Sequence, residues 1–180
     1  MSSSPFVVEW VARLAGGDAG SRRALDVASG AGRHAAVLAR AGFRTFGVDV
    51  DLEALRAVAA AARDNPASER GTILLWCADL TRHPLPASWF DLIVVTRYLQ
   101  RDLFPSLRAS VKPGGAIVYE TFTTRQRELG RRPTSPDHLL EPGELRRYFE
   151  RGNGFELLAD EEIVDQDAVA RVVARRRSAS

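Results

Sequence analysis

The sequence predicts an α/β fold in which a doubly wound, mostly parallel sheet carries helices on both faces. Strand-like apolar runs alternate with helical segments as far as Gly115, which is the pattern of this fold class. Two of the runs, Thr72–Cys77 and Asp91–Thr96, are nearly continuously apolar, as in strands buried on both faces of a parallel sheet. A glycine-rich turn joins the first strand to the helix behind it. Together these features predict a single domain over residues 1–180.

The first half of the chain contains residues that typically begin or end helices. Pro5 suits the first turn of a helix, Gly42 stops a second helix, and Asp51 can cap a third. Apolar residues recur at helical spacing from Leu52 to Ala62. The predicted elements are a helix at Phe6–Ala15 that ends at Gly16 and Gly17, a strand at Ala24–Ala28, a helix at Arg33–Ala41, a strand at Arg44–Asp49 and a helix after Asp51.

The second half continues the alternation and closes with two strands. Lys112–Gly115 marks a turn, Pro142 suits the start of a helix, and Asp165–Asp167 marks a turn between the closing strands. The predicted elements are strands at Thr72–Cys77 and Asp91–Thr96, a helix at Arg101–Val111, a strand at Ala116–Thr121, a helix at Glu144–Glu150, and strands at Phe155–Val164 and Ala168–Arg175.

The composition of the chain limits the partners and the cellular compartment that we expect for it. The 180 residues carry 25 basic and 23 acidic side chains, spread along the chain. The run Arg175–Arg177 is smaller than the basic face that a nucleic acid needs. Cys77 is the only cysteine, which suits a reducing compartment, and the three histidines lack metal-ligand spacing. No leader-like or membrane-spanning segment is visible. We expect a cytoplasmic protein without a metal, membrane or nucleic-acid partner, disordered only at Met1–Ser4 and Ser178–Ser180.

The candidate binding residues lie where the first three strands end. In open α/β sheets, ligands sit beyond the carboxyl ends of the strands. After the first strand, Gly30 and Gly32 let the backbone approach a ligand closely, and the helix beginning near Arg33 offers free N–H groups to an anion. Asp49 ends the second strand and can accept hydrogen bonds from both hydroxyls of a ribose. Asp79 follows the third strand and can accept one from an adenine amino group.

An adenosine with an anionic tail suits this set, with Val50 and Leu80 beside the ring. A nicotinamide dinucleotide is one candidate, because Gly30-x-Gly32-x-x-Ala35 matches its fingerprint and Asp49 follows at about the required distance. Asp26 argues against that ligand, because the strand before a dinucleotide loop normally stays apolar and an acid repels a pyrophosphate. The same acid can orient the loop or meet the ammonium of a methionine tail.

Five segments, in order, resemble motifs of class I S-adenosylmethionine-dependent methyltransferases. They are Leu25–Gly32, which is similar to D-x-x-x-G-x-G, then Gly47–Asp49, Ala78–Leu80, Phe90–Val94 and Lys112–Gly115. The resemblance covers nearly the whole chain. It implies a Rossmann-like sheet of seven strands, in which the last strand inserts antiparallel between the fifth and the sixth.

The resemblance also assigns residues to S-adenosyl-L-methionine, the cofactor of that family. Asp26, Gly30 and Gly32 would lie along its methionine portion, Asp49 on the ribose and Asp79 at the adenine. The other implied cofactor positions are Ala28, Val50, Ala78, Leu80 and Thr96.

Several shorter segments resemble one group within this family, and that resemblance bears on which molecule accepts the methyl group. The segments Arg97–Leu99, Leu103–Pro105, Tyr119–Phe122 and Leu139–Leu145 resemble small bacterial tellurite-resistance and thiopurine methyltransferases. Val95–Tyr98 lacks the Asn/Asp-Pro-Pro-Tyr/Phe motif of enzymes that methylate amino groups of DNA bases, and no nucleic-acid-binding domain is appended. We predict a small-molecule acceptor. An RNA or protein acceptor and a non-catalytic cofactor-binding subunit stay open as alternatives.

Three residues are candidates to face the acceptor. Tyr98 can wall the methyl group or hydrogen-bond the nucleophile. Glu120 interrupts an apolar strand, so it is a base, a cation anchor or the buried member of an ion pair. His138 is a candidate base. Residues 123–140 form a long insertion, which is either a lid or a solvated loop. If the insertion is a lid, its four arginines could attract an anionic substrate. These are Arg125, Arg127, Arg131 and Arg132.

Overall fold

The computed structural model describes residues 2–16, 21–64 and 71–178, and its elements follow the predicted order. The strands are β1 (Arg23–Val27), β2 (Arg44–Asp49), β3 (Ile73–Cys77), β4 (Phe90–Thr96), β5 (Val111–Phe122), β6 (Phe155–Val164) and β7 (Ala168–Arg176). The α-helices are α1 (Pro5–Leu14), α2 (Arg33–Arg40), α3 (Leu52–Asp64), α4 (Phe104–Ser110) and α5 (Glu144–Tyr148). Gly17 and the tail residues Met1, Ala179 and Ser180 lie outside the described residues.

The described strands form one seven-stranded sheet in the order β3-β2-β1-β4-β5-β7-β6. All pairs among the first five strands of this order are parallel, whereas β7 runs antiparallel to both β5 and β6. The predicted fold class is therefore confirmed, including the insertion of the last strand between the fifth and the sixth. The strand order reverses between β1 and β4, and their carboxyl ends border the crevice where such sheets bind ligands.

Alternate residues of the central strand β4 pack into two separate hydrophobic cores, one on each face of the sheet. Leu92 and Val94 pack with apolar residues of α1 and α2 on one face of the sheet. Ile93 and Val95 pack on the other face, with residues of α4 and the segment that includes α5. All four side chains are fully buried, which explains the unbroken apolar run that the sequence shows here. None of the described helices is long and apolar enough to cross a membrane.

The expectation that β3 is buried on both faces is wrong. β3 is an edge strand, and its residues are half-buried or, at Cys77, exposed. Residues 78–89, which connect β3 to β4, contain no helix, so this segment provides no helical cover for one face of the strand. Leu74, Trp76, Phe46 and Trp89 consequently line an open apolar groove. A continuous apolar run in the sequence therefore does not distinguish a strand that is buried on both faces from an edge strand.

The predicted turn at Lys112–Gly115 belongs instead to β5. Val111 pairs with Phe90, and the register shifts between Phe90 and Leu92, so the four residues form an irregular start of the strand. Lys112 Nζ lies 2.8 Å from Asp91 Oδ2, which holds this irregular segment against β4. The helix expected from Arg101 begins as a short 3-10 turn and becomes α-helical only at Phe104.

The expected disorder of the N-terminal tail does not extend to Ser4. Its side chain accepts a hydrogen bond from the backbone N–H of Val7 (3.4 Å) and caps α1. Its backbone N–H donates to His34 Nε2 on α2 (3.0 Å). The start of the chain is therefore fastened to the element that follows the glycine loop.

Gly32→Ala should lower the free energy of unfolding by about 2 kcal/mol, half from a left-handed backbone and half from a steric clash. Gly32 has a φ of +70°, and an added Cβ would lie 2.6 Å from Val58 Cγ1. Gly30→Ala is the matched control, because its φ is +49° but the nearest atom lies 4.0 Å from the added Cβ. Urea unfolding of both variants measures the difference. Equal losses would contradict the close contact between the loop and α3.

Candidate active site

The glycine loop between β1 and α2 is bent by residues with left-handed backbone. Ala28, Gly30 and Gly32 have φ values of 54°, 49° and 70°. The backbone N–H of Gly30 donates to Asp49 Oδ2 at the end of β2 (2.7 Å). The ends of the two strands are therefore joined by the loop itself. An added Cβ at Gly30 would meet open space, so a ligand can approach this backbone.

Asp26 lies beneath the loop rather than at a ligand-facing surface. It is 1% exposed, and Oδ2 accepts the backbone N–H of Ala35 on α2 (2.9 Å). Burial disfavours the charged carboxylate and raises the pKa of Asp26 to about 7. Of the two roles open from the sequence, these contacts support the orientation of the loop against α2.

A first depression, the Asp49 cleft, opens between the ends of β1, β2 and β3. Its lining combines small or apolar side chains with two carboxylates and one tyrosine: Val27, Ala28, Val48, Asp49, Val50, Ala78, Asp79, Leu80 and Tyr98. Asp49 Oδ1 also accepts the backbone N–H of Asp51 (2.9 Å), which fixes the carboxylate at the rim. Hydrogen bonds from Thr81 lower the pKa of the Asp79 carboxyl, so this group is an anion at neutral pH.

A second depression, the Glu120 cavity, shares no lining residue with the first and has a volume of about 420 Å³. Most of its lining residues carry polar or charged side chains, and they come from the start of the chain, the start of α2, the ends of β4 and β5, and the β6–β7 turn. The lining residues are Ser2–Pro5, Arg33, His34, Thr96, Arg97, Glu120, Ile163, Asp165–Asp167, Val169 and Arg171.

Ion pairs hold the wall of the Glu120 cavity. Glu120 is 5% exposed, and its Oε2 lies 2.6 Å from Arg171 Nε on the neighbouring strand β7. Arg171 also contacts Glu161 (3.2 Å), and Arg97 pairs with Asp167 in the β6–β7 turn (3.0 Å). From the sequence, Glu120 could be a base, a cation anchor or the buried member of an ion pair. The structure shows it as the buried member of an ion pair, at the edge of a cavity.

His34 is a cavity residue that the sequence reasoning missed. It is 6% exposed, and Nδ1 lies 3.0 Å from the hydroxyl oxygen of Thr96 at the end of β4, while Nε2 accepts the Ser4 N–H. Burial, followed by the positive charge of Arg33, lowers the pKa of His34. Both of its partners are remote in sequence, so no local pattern could have singled it out.

The other acceptor-facing candidates lie elsewhere. Tyr98 lines the Asp49 cleft, and burial raises the pKa of its phenol. His138 is exposed on a short 3-10 turn and lines neither depression. The segment 123–140 is anchored, because buried Gln126 donates to Arg132 and Asp167 and accepts from Ala168. None of the four arginines of this segment lines either depression in the described chain.

The side chains of the Asp49 cleft match the chemistry of the adenosine part of the cofactor that the resemblance implies, although the cleft encloses only about 60 Å³. Two carboxylates provide acceptors for hydroxyl and amino donors, while Val48, Val50 and Leu80 provide an apolar wall. No cluster of metal-ligating side chains occurs among residues 2–16, 21–64 and 71–178.

Glu120→Ala should lower the free energy of unfolding by about 2 kcal/mol, because it leaves the largely buried Arg171 without its main partner. Glu161→Ala is the matched control: it removes the other partner of the same arginine, but Glu161 is 45% exposed and we expect a loss below about 1 kcal/mol. Chemical denaturation measures both values. A Glu120→Ala protein as stable as Glu161→Ala would show that the buried pair does not stabilise the cavity wall.

Comparison with known proteins identifies a family and structures with the same fold. A profile of the methyltransferase domain family matches residues 24–115, just over half of the chain. The matched region begins in β1 and ends at the start of β5, so it includes the glycine loop, Asp49 and Asp79. Comparison with curated proteins gives no match.

Solved structures share the fold at low sequence identity. An S-adenosylmethionine-dependent methyltransferase from Mesorhizobium loti is 21% identical, with a TM-score of 0.69, over 94% of this chain and 98% of that chain. One from Aquifex aeolicus is 16% identical, with a TM-score of 0.69, over 95% and 90%. The [4+2]-cyclase SpnF is 20% identical, with a TM-score of 0.75, over 96% and 80%. The fold alone therefore does not determine the reaction.

Proposed function

We propose that this chain, which belongs to the methyltransferase domain family, transfers a methyl group to a small-molecule acceptor. It is an S-adenosylmethionine-dependent methyltransferase, and S-adenosylmethionine is its cofactor. The observation that carries the proposal for the acceptor is the presence of two separate depressions that share no lining residue, the Asp49 cleft and the Glu120 cavity, of which the second has a volume of about 420 Å³. That volume is typical of sites for small molecules, about 300–1,000 Å³.

In this proposal the Asp49 cleft holds the adenosine, and the Glu120 cavity receives the methionine end together with the acceptor. S-adenosylmethionine supplies a methyl group on a positively charged sulfur, which leaves as a neutral thioether when a lone pair attacks the methyl carbon. The chain holds the two reactants in line and excludes water, which contributes about 7–11 kcal/mol to lowering a barrier of this kind. The N-terminal residues Ser2–Pro5 and the β6–β7 turn supply the outer walls for that purpose.

The buried titratable groups of the cavity favour an acceptor that needs no base. Glu120 is engaged by Arg171, and both ring nitrogens of His34 have partners. A thiolate or another soft anion attacks without losing a proton, whereas a neutral hydroxyl or an ammonium needs a base. The finer likeness to tellurite-resistance and thiopurine methyltransferases supports the same choice of acceptor, which we propose as a thiol or an oxyanion of selenium or tellurium.

A turnover screen tests this proposal. Purified chain and S-adenosylmethionine are incubated with thiols, tellurite, selenite, phenols and small amines, and S-adenosylhomocysteine is measured. We expect product with at least one soft acceptor. Binding of S-adenosylhomocysteine without turnover of any acceptor would favour a non-catalytic subunit, and turnover only with RNA or protein would assign a macromolecular acceptor. Either outcome would overturn the small-molecule assignment.

A further inference from the structure

The hydrogen-bond chain from Ser4 to Thr96 fixes the position of one proton. The backbone N–H of Ser4 can only donate, and it points at His34 Nε2 (3.0 Å). Nε2 must therefore offer its lone pair. A neutral imidazole carries a single proton, so that proton lies on Nδ1. This is the tautomer that the contacts of His34 require.

A doubly protonated ring does not fit the same contacts. The charged imidazolium would place a hydrogen on Nε2 against the hydrogen of the Ser4 amide. Burial and the positive charges of Arg33 and Arg97 disfavour the charged ring, and only the charge of Glu120 favours it, so the pKa of His34 stays below its ordinary value. At neutral pH the ring is therefore uncharged.

The tautomer determines what the Thr96 hydroxyl can do. Because Nδ1 carries a proton and lies 3.0 Å from Thr96 Oγ1, the hydroxyl oxygen accepts a hydrogen bond from the ring. The hydroxyl then has its own proton to donate, and no other partner of this hydroxyl is found in the part of the chain that the structure describes. Thr96 is half-buried and lines the Glu120 cavity, so the donor is available to a molecule bound there.

We infer that the Thr96 hydroxyl, with its polarity set by His34, donates to the reacting atom of the acceptor and thereby selects oxygen or sulfur over amine nitrogen. An oxygen or sulfur anion can accept the hydrogen bond with one lone pair and attack the methyl carbon with another. An amine has a single lone pair, and a hydrogen bond to it removes the electrons that the new bond needs. This inference rests on the proposed function. Thr96 is thus a specificity-determining residue and His34 a positioning residue.

The tautomer of His34 is measured without turnover. Long-range 15N–1H NMR spectra of the labelled protein at neutral pH distinguish the two neutral tautomers of each of the three histidines. His83→Gln and His138→Gln, both at exposed positions, assign the His34 signals by elimination. We expect the proton on Nδ1, whereas a neutral histidine side chain free in water prefers it on Nε2. A proton on Nε2, or an averaged signal, overturns the inference even in an active enzyme.

Two variants test the donor itself. Thr96→Val keeps the shape of the side chain and removes the hydroxyl, whereas Thr96→Ser keeps the hydroxyl and serves as the matched control. We expect Thr96→Val to lower kcat/KM for thiol acceptors about tenfold to hundredfold, as for loss of a hydrogen bond to a charged group, and Thr96→Ser to retain the wild-type value. The resemblance places Thr96 among the cofactor positions, whereas this inference assigns its hydroxyl to the acceptor, so calorimetry should show an unchanged Kd for S-adenosylhomocysteine.

The outcomes separate this inference from the proposed function. If wild-type chain gives no S-adenosylhomocysteine with any small acceptor, the proposed function fails, and the NMR result still reports on the His34–Thr96 pair. If wild-type chain is active but Thr96→Val loses cofactor affinity rather than acceptor turnover, Thr96 binds the cofactor and the selection of acceptors is overturned. Preference for amines in the wild type overturns it as well.

Discussion

Replacing Asp49 with alanine should weaken the binding of S-adenosylhomocysteine about a hundredfold. Hydrogen bonds to a charged group each contribute about 1.5–3 kcal/mol, and about 1.4 kcal/mol changes Kd tenfold, so loss of the two ribose contacts that we propose for Asp49 would give this effect. The variant also frees the backbone N–H of Gly30, which donates to Asp49 (2.7 Å), and so loosens the loop beside the ligand. Isothermal titration calorimetry measures the change.

Asp51→Ala is the matched control for this experiment. Asp51 lies two residues away on the same turn, but its Oδ1 caps α3 through the N–H groups of Glu53 and Ala54, and it does not line the Asp49 cleft. We expect this variant to lose about 1 kcal/mol of stability, as for other helix caps, and to keep its cofactor affinity. An unchanged Kd in Asp49→Ala would remove Asp49 from the ribose role.

Asp26 should make the protein less stable as the pH rises from about 4 to about 7. The pKa of its carboxyl is about 7 in the folded state and has an ordinary value of 3.8. Between these values the folded chain binds one more proton than the unfolded chain, so the free energy of unfolding falls with rising pH. One pKa unit corresponds to about 1.36 kcal/mol, so this single group contributes a decline of about 4 kcal/mol.

The Asp26→Asn variant isolates this contribution, because its amide does not titrate and its oxygen can still accept the N–H of Ala35. Urea unfolding of both proteins across this pH range gives the difference between their free energies of unfolding. We expect the variant to gain about 4 kcal/mol relative to the wild type from the acid to the neutral end of the range. A constant difference would mean that the carboxyl titrates as if in water, contrary to its burial.

The sequence predicted the parts of the fold that depend on local signals. Caps and glycine stops placed most helix ends within a residue or two, and alternating elements placed the strands. Whether another element packs on a face of a strand depends on the tertiary structure. For that reason the apolar run of β3 did not reveal that residues 78–89 leave one face of this strand open. Lys112–Gly115 contains the residues of a turn, but the pairing of Val111 with Phe90 draws it into β5.

For the candidate site, sequence reasoning found the side chains at strand ends and missed their partners. Glu120 stood out as an acid in an apolar strand, yet its pairing with Arg171 depends on the antiparallel register of β5 and β7, in which the two residues lie opposite each other. His34 had no such signal, because Ser4 and Thr96 come from distant parts of the chain. Long-range contacts of this kind become visible only when the topology is known.

The position of β7 also sets the order in which the protein can be built. β6 is made before β7 but pairs with no other strand among the described residues, so neither can join the sheet until both exist. Until then the β5 edge carries unpaired backbone groups, a hazard for aggregation of the nascent chain. Arg171 and Val169, which line the Glu120 cavity, lie on β7. The wall of this cavity therefore cannot be complete before β7 has joined the sheet.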